Sequence, residues 1–163
     1  MITSPEPAPQ GSAQYLSFVL CGEEYAVNIL RVKEIIEYDA LTRVPTMPAS
    51  VRGVINLRGR VVPVVDLAAR FGLPESDITR RSCIIMVELT DAGQSMVVGL
   101  IADAVSQVLD LAAGDIEPPP SFGTTIHSRF IEGMAAAGKK FVILLDVDRA
   151  LDASGMFDQP AVA

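Results

Sequence analysis

VRGVINLRGRVVPVVD, residues 51–66, is the stretch that decides the fold, and IEGMAAAGKKFVILLD, residues 131–146, repeats its pattern. Each copy places a glycine thirteen positions before an aspartate. The pairs are Gly53 with Asp66 and Gly133 with Asp146. Since a glycine followed by a capping aspartate is common in β proteins, a chance match is the alternative. We interpret the two copies as an internal repeat of β units of about 70 residues.

A turn glycine divides each copy into two apolar strands. Gly59 precedes Arg60, and Gly138 precedes Lys139, so the glycine shifts by one position between the copies. On this alignment the second copy has an alanine where the first has Arg58. A residue that is absent from the second copy is not required for the fold. Its absence therefore favours a role of Arg58 in binding a partner over the alternative that Arg58 is only a solvated residue at the hairpin tip.

The rest of the chain indicates short strands more than helices. Large apolar residues recur at every second position in YLSFVL and GEEYAVNI, and β-branched residues fill the later runs. Roughly ten such strands predict an all-β sandwich or barrel. Pro63 predicts an edge strand or a bulge, because proline removes a ladder donor. Asp66 and Asp146 each predict the cap of a short helical turn.

Composition excludes several classes of function. The 163-residue chain carries a net charge of -7, which opposes nucleic-acid binding. The first 81 residues balance their charges, whereas the remainder has four basic and eleven acidic residues. Residues 1–13 are expected to be a disordered leader without export signal, which predicts a cytoplasmic protein. Cys21 and Cys83 are interpreted as small core thiols.

Catalytic signatures are sparse. The single histidine, His127, has no nucleophile or acid in a recognised pattern around it, and no nucleotide or metal motif is present. Asp66 and Asp146 are explained as caps, with an acid-base hydrolase using both as the competing hypothesis. The sequence thus predicts a non-enzyme without cofactor or metal.

Three segments resemble the CheW family of bacterial chemotaxis adaptors. They are EEYAVNILRVKEII, MPASVRGVINLRGRVVPVVDL and VVGLIADAVSQVLDL, within a similarity that spans approximately residues 14–152. The resemblance implies two five-stranded SH3-like barrels, 14–81 and 82–152, with a first strand that the two barrels can share, followed by a flexible tail, 153–163. It implies a scaffold between the regulatory domain of a chemotaxis histidine kinase and the cytoplasmic tip of methyl-accepting chemoreceptors. An adaptor of another chemosensory pathway, such as pilus motility, is the alternative.

The resemblance also implies which residues meet the receptor. These are Val32, Glu34, Ile35, Arg58 and Val108. The apolar members are expected to line a groove between the barrels, with Glu34 and Arg58 as its charged rim. Gly53, Gly59, Asp66, Gly133 and Asp146 are given structural roles. The kinase-facing residues, expected on the second barrel, remain unassigned, and the protein is expected at membrane-associated receptor arrays in the cytoplasm.

Overall fold

The computed structural model describes residues 12–39, 41–43, 45, 50–74, 77–91, 93–118 and 130–151. Most of the expected leader, the expected tail and His127 lie outside these residues. Ser12 and Ala13 do not belong to a leader, because they begin the first strand. The strands are β1 (Ser12–Leu20), β2 (Glu23–Asn28), β3 (Val32–Glu37), β4 (Val51–Leu57), β5 (Arg60–Val65), β6 (Cys83–Asp91), β7 (Gln94–Ala102), β8 (Ala104–Ala112), β9 (Ile116–Glu117), β10 (Ile131–Ala137) and β11 (Lys140–Leu145).

Helical structure is confined to single turns. The α-helices are α1 (Leu67–Arg70) and α2 (Val147–Ala150), and 3₁₀ turns span Ile29–Arg31 and Ala113–Asp115. Asp66 and Asp146 occupy the N-cap positions of α1 and α2, as their place after a strand predicts. No helix in the described ranges has the length and apolarity to cross a membrane.

The strands form two sheets, which confirms the all-β prediction. One sheet has six strands in the order β8-β1-β2-β11-β10-β9, and the other has five in the order β3-β6-β7-β5-β4. The resemblance implied five strands in each barrel, and the two-residue strand β9 accounts for the sixth. Both sheets contain one parallel contact, β2 with β11 and β5 with β7, and are otherwise antiparallel.

The two sheets exchange hairpins between the sequence repeats. The β1–β2 hairpin of the first repeat pairs with β8 and β11 of the second. Conversely, the β6–β7 hairpin of the second repeat pairs with β3 and β5 of the first. The expected boundary between residues 81 and 82 therefore follows the sequence repeat and does not separate the sheets.

Each sheet is closed by the continuation of its own edge strand. The chain leaving β3 returns to β4, where Thr42 and Val54 exchange backbone hydrogen bonds of 2.9 and 2.8 Å. In the other sheet, β8 leads through the 3₁₀ turn into β9, which pairs with β10. A Cβ on Gly53 would lie 2.7 Å from the Thr42 carbonyl oxygen, and one on Gly133 would lie 2.5 Å from Ile116 Cγ2. The repeat glycines thus permit the close crossings that complete the barrels.

Pro63 lies on an interior strand, so the expectation of an edge strand is wrong. The bulge in the β4–β5 pair also lies elsewhere, between Val51 and Gly53. The parallel pairing of β5 with β7 includes only Val64 and Val65. Pro63 immediately precedes this paired segment, and its missing N–H therefore costs no bond to β7.

A shared core joins the two sheets. One large apolar cluster contains Phe18 and Tyr25 of the six-stranded sheet together with Val65 and Leu100 of the five-stranded sheet. The aromatic rings of Phe18, Tyr25, Phe71 and Phe130 follow one another at centroid distances of 5.5 to 6.2 Å. Smaller clusters around Leu144 and around Ile84 belong to the individual sheets. Burial of common apolar area stabilises the sheets as one unit.

Candidate docking site

The β4–β5 turn places Arg58 in an unusual backbone conformation. Arg58 has φ of 54° and Gly59 has φ of 85°, so both central residues are left-handed, as in a type I′ hairpin turn. The Gly59 N–H donates to Asn56 Oδ1 at 2.9 Å. A left-handed backbone is unfavourable for residues other than glycine, because their Cβ is crowded. The arginine at this position is therefore a candidate for function more than for turn formation.

The matching turn in the second repeat corrects the sequence alignment. Leu57 pairs with Arg60, and Ala137 pairs with Lys140, so the turns occupy the same register. The counterpart of Arg58 is consequently Gly138, with φ of 67°, and not an alanine. The turn itself does not shift; the glycine moves from its second central position to its first. The second copy thus uses the residue that left-handed backbone favours where the first carries an arginine.

Arg58 forms an ion pair that connects the β4–β5 turn to Glu34 on edge strand β3 of the five-stranded sheet. Both guanidinium nitrogens contribute, Nη2 to Oε1 and Nη1 to Oε2 at 3.3 Å. The hydrogen bond from Arg58 lowers the pKa of Glu34 below its usual value, and the same bond raises the pKa of Arg58. The Arg58 side chain is still 70% exposed and the Glu34 side chain 33%, which leaves the pair accessible to a partner.

A groove of about 510 Å³ runs beside this ion pair. Its charged residues are Lys33, Glu34, Arg58 and Arg60, which gives an excess of positive charge in an acidic protein. Lys33 lies 3.4 Å from Glu88. The remaining lining is largely apolar and comprises Leu57, Val61, Val62, Pro63, Met86, Ser95, Met96 and Val97. An apolar floor with a charged rim is the composition expected of a protein-docking surface.

The structure brings together only two of the five residues expected to meet the receptor. Glu34 and Arg58 form the ion pair, whereas Val32 is half-buried and packs against the shared core. Ile35, on edge strand β3, is 44% exposed. Val108, on edge strand β8 of the other sheet, is 48% exposed, and none of these three apolar residues lines the groove. Their receptor role stays a prediction.

Sequence reasoning missed the three most exposed large apolar side chains of the described residues. Leu30, Val61 and Phe141 are 84%, 70% and 53% exposed. Val61 and Phe141 occupy equivalent positions, because each is the second residue of the strand that follows the matched turn. A correct register between the repeats signals this pair, since alternation places both on the outer side.

Two arginines fix the sheets relative to one another. Arg31, after β2, forms a two-pronged ion pair with Asp148 on α2, at 3.2 and 2.5 Å, and donates to the Glu88 carbonyl of β6 at 3.1 Å. Arg70 on α1 donates to the Ala150 carbonyl of α2 at 3.0 Å and stacks on Phe130. Such bidentate and stacked contacts restrict the relative movement of the two sheets.

The two capping aspartates are committed to local hydrogen bonds. Asp66 Oδ1 accepts from the backbone N–H groups of Ala68 and Ala69, while Oδ2 pairs with Arg52 Nη1 at 2.7 Å. Its side chain is only 1% exposed. Asp146 accepts from the Arg149 N–H at 3.2 Å on the other sheet. The burial of Asp66 and its pairing with Arg52 argue against the hydrolase hypothesis, which requires both carboxylates to reach a substrate.

The two cysteines have different surroundings. Cys83 is buried, as expected, but Cys21 is exposed because it lies in the left-handed turn between β1 and β2. Desolvation raises the pKa of both thiols. Across the described ranges, no group of three or more histidine, cysteine or acidic side chains has an arrangement that could hold a metal ion.

Comparisons with known proteins match this architecture over nearly the whole chain. Residues 14–155 match the CheW-like domain. The chain is 37% identical to the chemotaxis protein CheW of Klebsiella aerogenes, over 88% of this chain and 84% of that protein. The corresponding protein of Bacillus subtilis is 34% identical, over 83% and 84%. The crystal structure of the scaffolding protein TtCheW from Thermoanaerobacter tengcongensis aligns with a TM-score of 0.79 at 35% identity, covering 95% and 96%.

Proposed function

The chain belongs to the CheW-like family, and we propose that it is a chemotaxis adaptor that joins a histidine kinase to chemoreceptors. Its relatives carry the names of chemotaxis proteins, and its structural neighbour is named a scaffolding protein. The proposed partners are the regulatory domain of the kinase and the cytoplasmic tip of a methyl-accepting receptor. The proposed place of action is the cytoplasmic side of membrane-associated receptor arrays.

The Glu34–Arg58 pair is the observation that carries this proposal. A turn arginine in a left-handed conformation, largely exposed and bordering a groove with an apolar floor, is costly for the fold and suited to recognition. The pair supplies orientation and partner choice, and nearby apolar side chains supply affinity. Val32, Ile35 and Val108 are proposed as additional receptor contacts, and the surface of the second barrel, expected at residues 82–152, as the kinase-facing part.

The test is a calorimetric titration of the receptor tip into wild type, Arg58→Glu and Lys139→Glu. Lys139 is the matched control, because it is exposed in the equivalent turn of the second repeat. We expect Arg58→Glu to weaken receptor binding at least about tenfold, whereas Lys139→Glu leaves it unchanged. The melting temperature should change by less than about 3 °C. Equal receptor affinity of wild type and Arg58→Glu would refute the assigned site.

A charge exchange separates recognition from internal support. In the double variant Glu34→Arg with Arg58→Glu, the ion pair can form again with its polarity reversed. If the pair only holds β3 against the β4–β5 turn, the double variant regains wild-type affinity. We expect no such recovery, because the exchanged charges of residues 34 and 58 no longer complement the charges of the partner. Recovery would assign the pair to the fold alone.

A further inference from the structure

The bulged residues of β4 and β10 each precede a closing glycine, and the two repeats differ there in charge. Arg52 is the extra residue between Val51 and Gly53, and Glu132 is the extra residue between Ile131 and Gly133. A β-bulge redirects the side chain of its extra residue. In the first repeat the redirected guanidinium reaches the Asp66 carboxylate at 2.7 Å. In the second repeat the same position carries a carboxylate.

A cavity of about 250 Å³ lies beside the second aspartate. Glu132, Asp146 and Asp148 line it together with one cation, Arg31, so the lining has an excess of negative charge. Asn28, Leu30, Leu145 and Val147 complete the lining. Leu30 is 84% exposed at the cavity and offers an apolar contact to an incoming side chain. The side-chain cation of the first repeat has no counterpart at this position.

The hydrogen bonds among the described residues leave two carboxylate oxygens of this cavity able to accept. Arg31 and the Thr90 N–H satisfy Asp148. In the part of the chain that the structure describes, Asp146 Oδ2 pairs with Arg149 Nε at 3.7 Å, an ion pair that is too long to be a hydrogen bond. Glu132 Oε2 accepts from the Tyr15 hydroxyl at 2.7 Å, which leaves Oε1. Burial, followed by the effect of Glu132, raises the pKa of Tyr15 to about 12, so this hydroxyl remains a donor.

We propose that this cavity receives the guanidinium of an arginine presented by a protein partner. The first repeat supplies an internal precedent, because the equivalent carboxylate already binds a guanidinium from the equivalent bulge. Planar nitrogen donors match paired carboxylate oxygens, and Leu30 would cover the aliphatic stem of the arginine. The identity of that protein as the kinase or the receptor rests on the proposed function, whereas the chemistry of the cavity does not.

The cavity is tested by titrating methylguanidinium into isotope-labelled protein and following backbone amides by NMR. We expect saturable shifts at Leu30, Arg31, Val147 and Asp148 in the wild type. Glu132→Arg places an arginine where the first repeat has Arg52, and it should abolish these shifts by occupying the cavity from within. Glu117→Arg, an equal charge change at an exposed position on β9, should leave them intact. Absent shifts in the wild type, or equal shifts in Glu132→Arg, would overturn the proposal.

A second variant guards against loss of folding. Glu132→Gln keeps an oxygen for the Tyr15 hydroxyl but removes the charge, and it should weaken methylguanidinium binding at least about fivefold. The kinase regulatory domain and the receptor tip are then titrated separately against wild type and both variants. Weakened binding of either protein by Glu132→Arg supports the proposal, and unchanged binding of both contradicts it. If the wild type binds neither protein, the proposed function fails while the methylguanidinium result still decides the cavity.

Discussion

The hairpin of residues 51–66 and its repeat in 131–146 share a backbone but differ in the charges they carry. Registers, bulges, closing glycines and capping aspartates coincide. The first copy adds Arg52 beneath the cap and Arg58 at the turn, whereas the second has Glu132 and Gly138. The backbone frame is thus duplicated, whereas the Arg52–Asp66 and Glu34–Arg58 ion pairs use arginines that the second copy replaces with Glu132 and Gly138.

The largest difference between the repeats should appear at the capping aspartates. We expect Asp66→Ala to lower the free energy of unfolding by about 3 kcal/mol, because it removes the carboxylate that accepts from Arg52 Nη1 and from two backbone N–H groups. Asp146→Ala should cost about 1 kcal/mol, the usual value of an exposed cap. Urea unfolding of both variants measures the difference. Equal losses would contradict the asymmetry inferred from the two sites.

The closing glycines should behave alike in both repeats. Gly53→Ala and Gly133→Ala each force a Cβ against the crossing segment, and each should destabilise the protein by about 2 kcal/mol. Gly114→Ala is the control, since no heavy atom lies within 4 Å of a Cβ built there. Chemical denaturation of the three variants is the measurement. A loss at Gly114 as large as at Gly53 would show that close approach is not the cause.

Replacing Arg58 with glycine should have opposite effects on thermal stability and on receptor binding. Arg58→Gly gives the first repeat a residue suited to its left-handed backbone, and we expect the melting temperature to hold or rise by about 2 °C despite the lost ion pair. Receptor affinity should fall as it does in Arg58→Glu. Calorimetric melting and the receptor titration are made on the same preparation. A strongly destabilised Arg58→Gly protein would mean that the ion pair is structural.

The smallest effect concerns pH. Because the Arg58 hydrogen bond lowers the pKa of Glu34 from its ordinary value of 4.5, the pair stabilises the folded state above that value. Its contribution is lost as pH falls through the lowered pKa. NMR titration of the Glu34 carboxyl should give a midpoint below 4.5 in the wild type and one closer to 4.5 in Arg58→Gly. An unchanged midpoint in the variant would contradict the assigned cause.

Much of the frame could be predicted from residue patterns, because turns and caps are local. The spacing of Gly53 and Asp66, repeated in Gly133 and Asp146, identified the copies and both helical turns. Local pattern failed where a neighbour decides the outcome. An interior strand tolerates Pro63 because its pairing with β7 begins one residue later. The alignment at Arg58 was wrong because its counterpart in the second repeat is identified only by the strand register.

The sequence by itself determined the all-β class, the duplicated unit and the family, since these follow from periodicity, glycines, caps and motifs. Only the tertiary structure decided which hairpin joins which sheet. If the β1–β2 hairpin stayed in the sheet that contains β3, then β3 would run parallel to β2. A connection between two parallel strands of one sheet needs a crossover of about a dozen residues. The connection between β2 and β3 is the three-residue turn Ile29–Arg31. The hairpin therefore completes the other sheet. Each repeat contributes one hairpin to the sheet of the other repeat, and the two sheets share a common core.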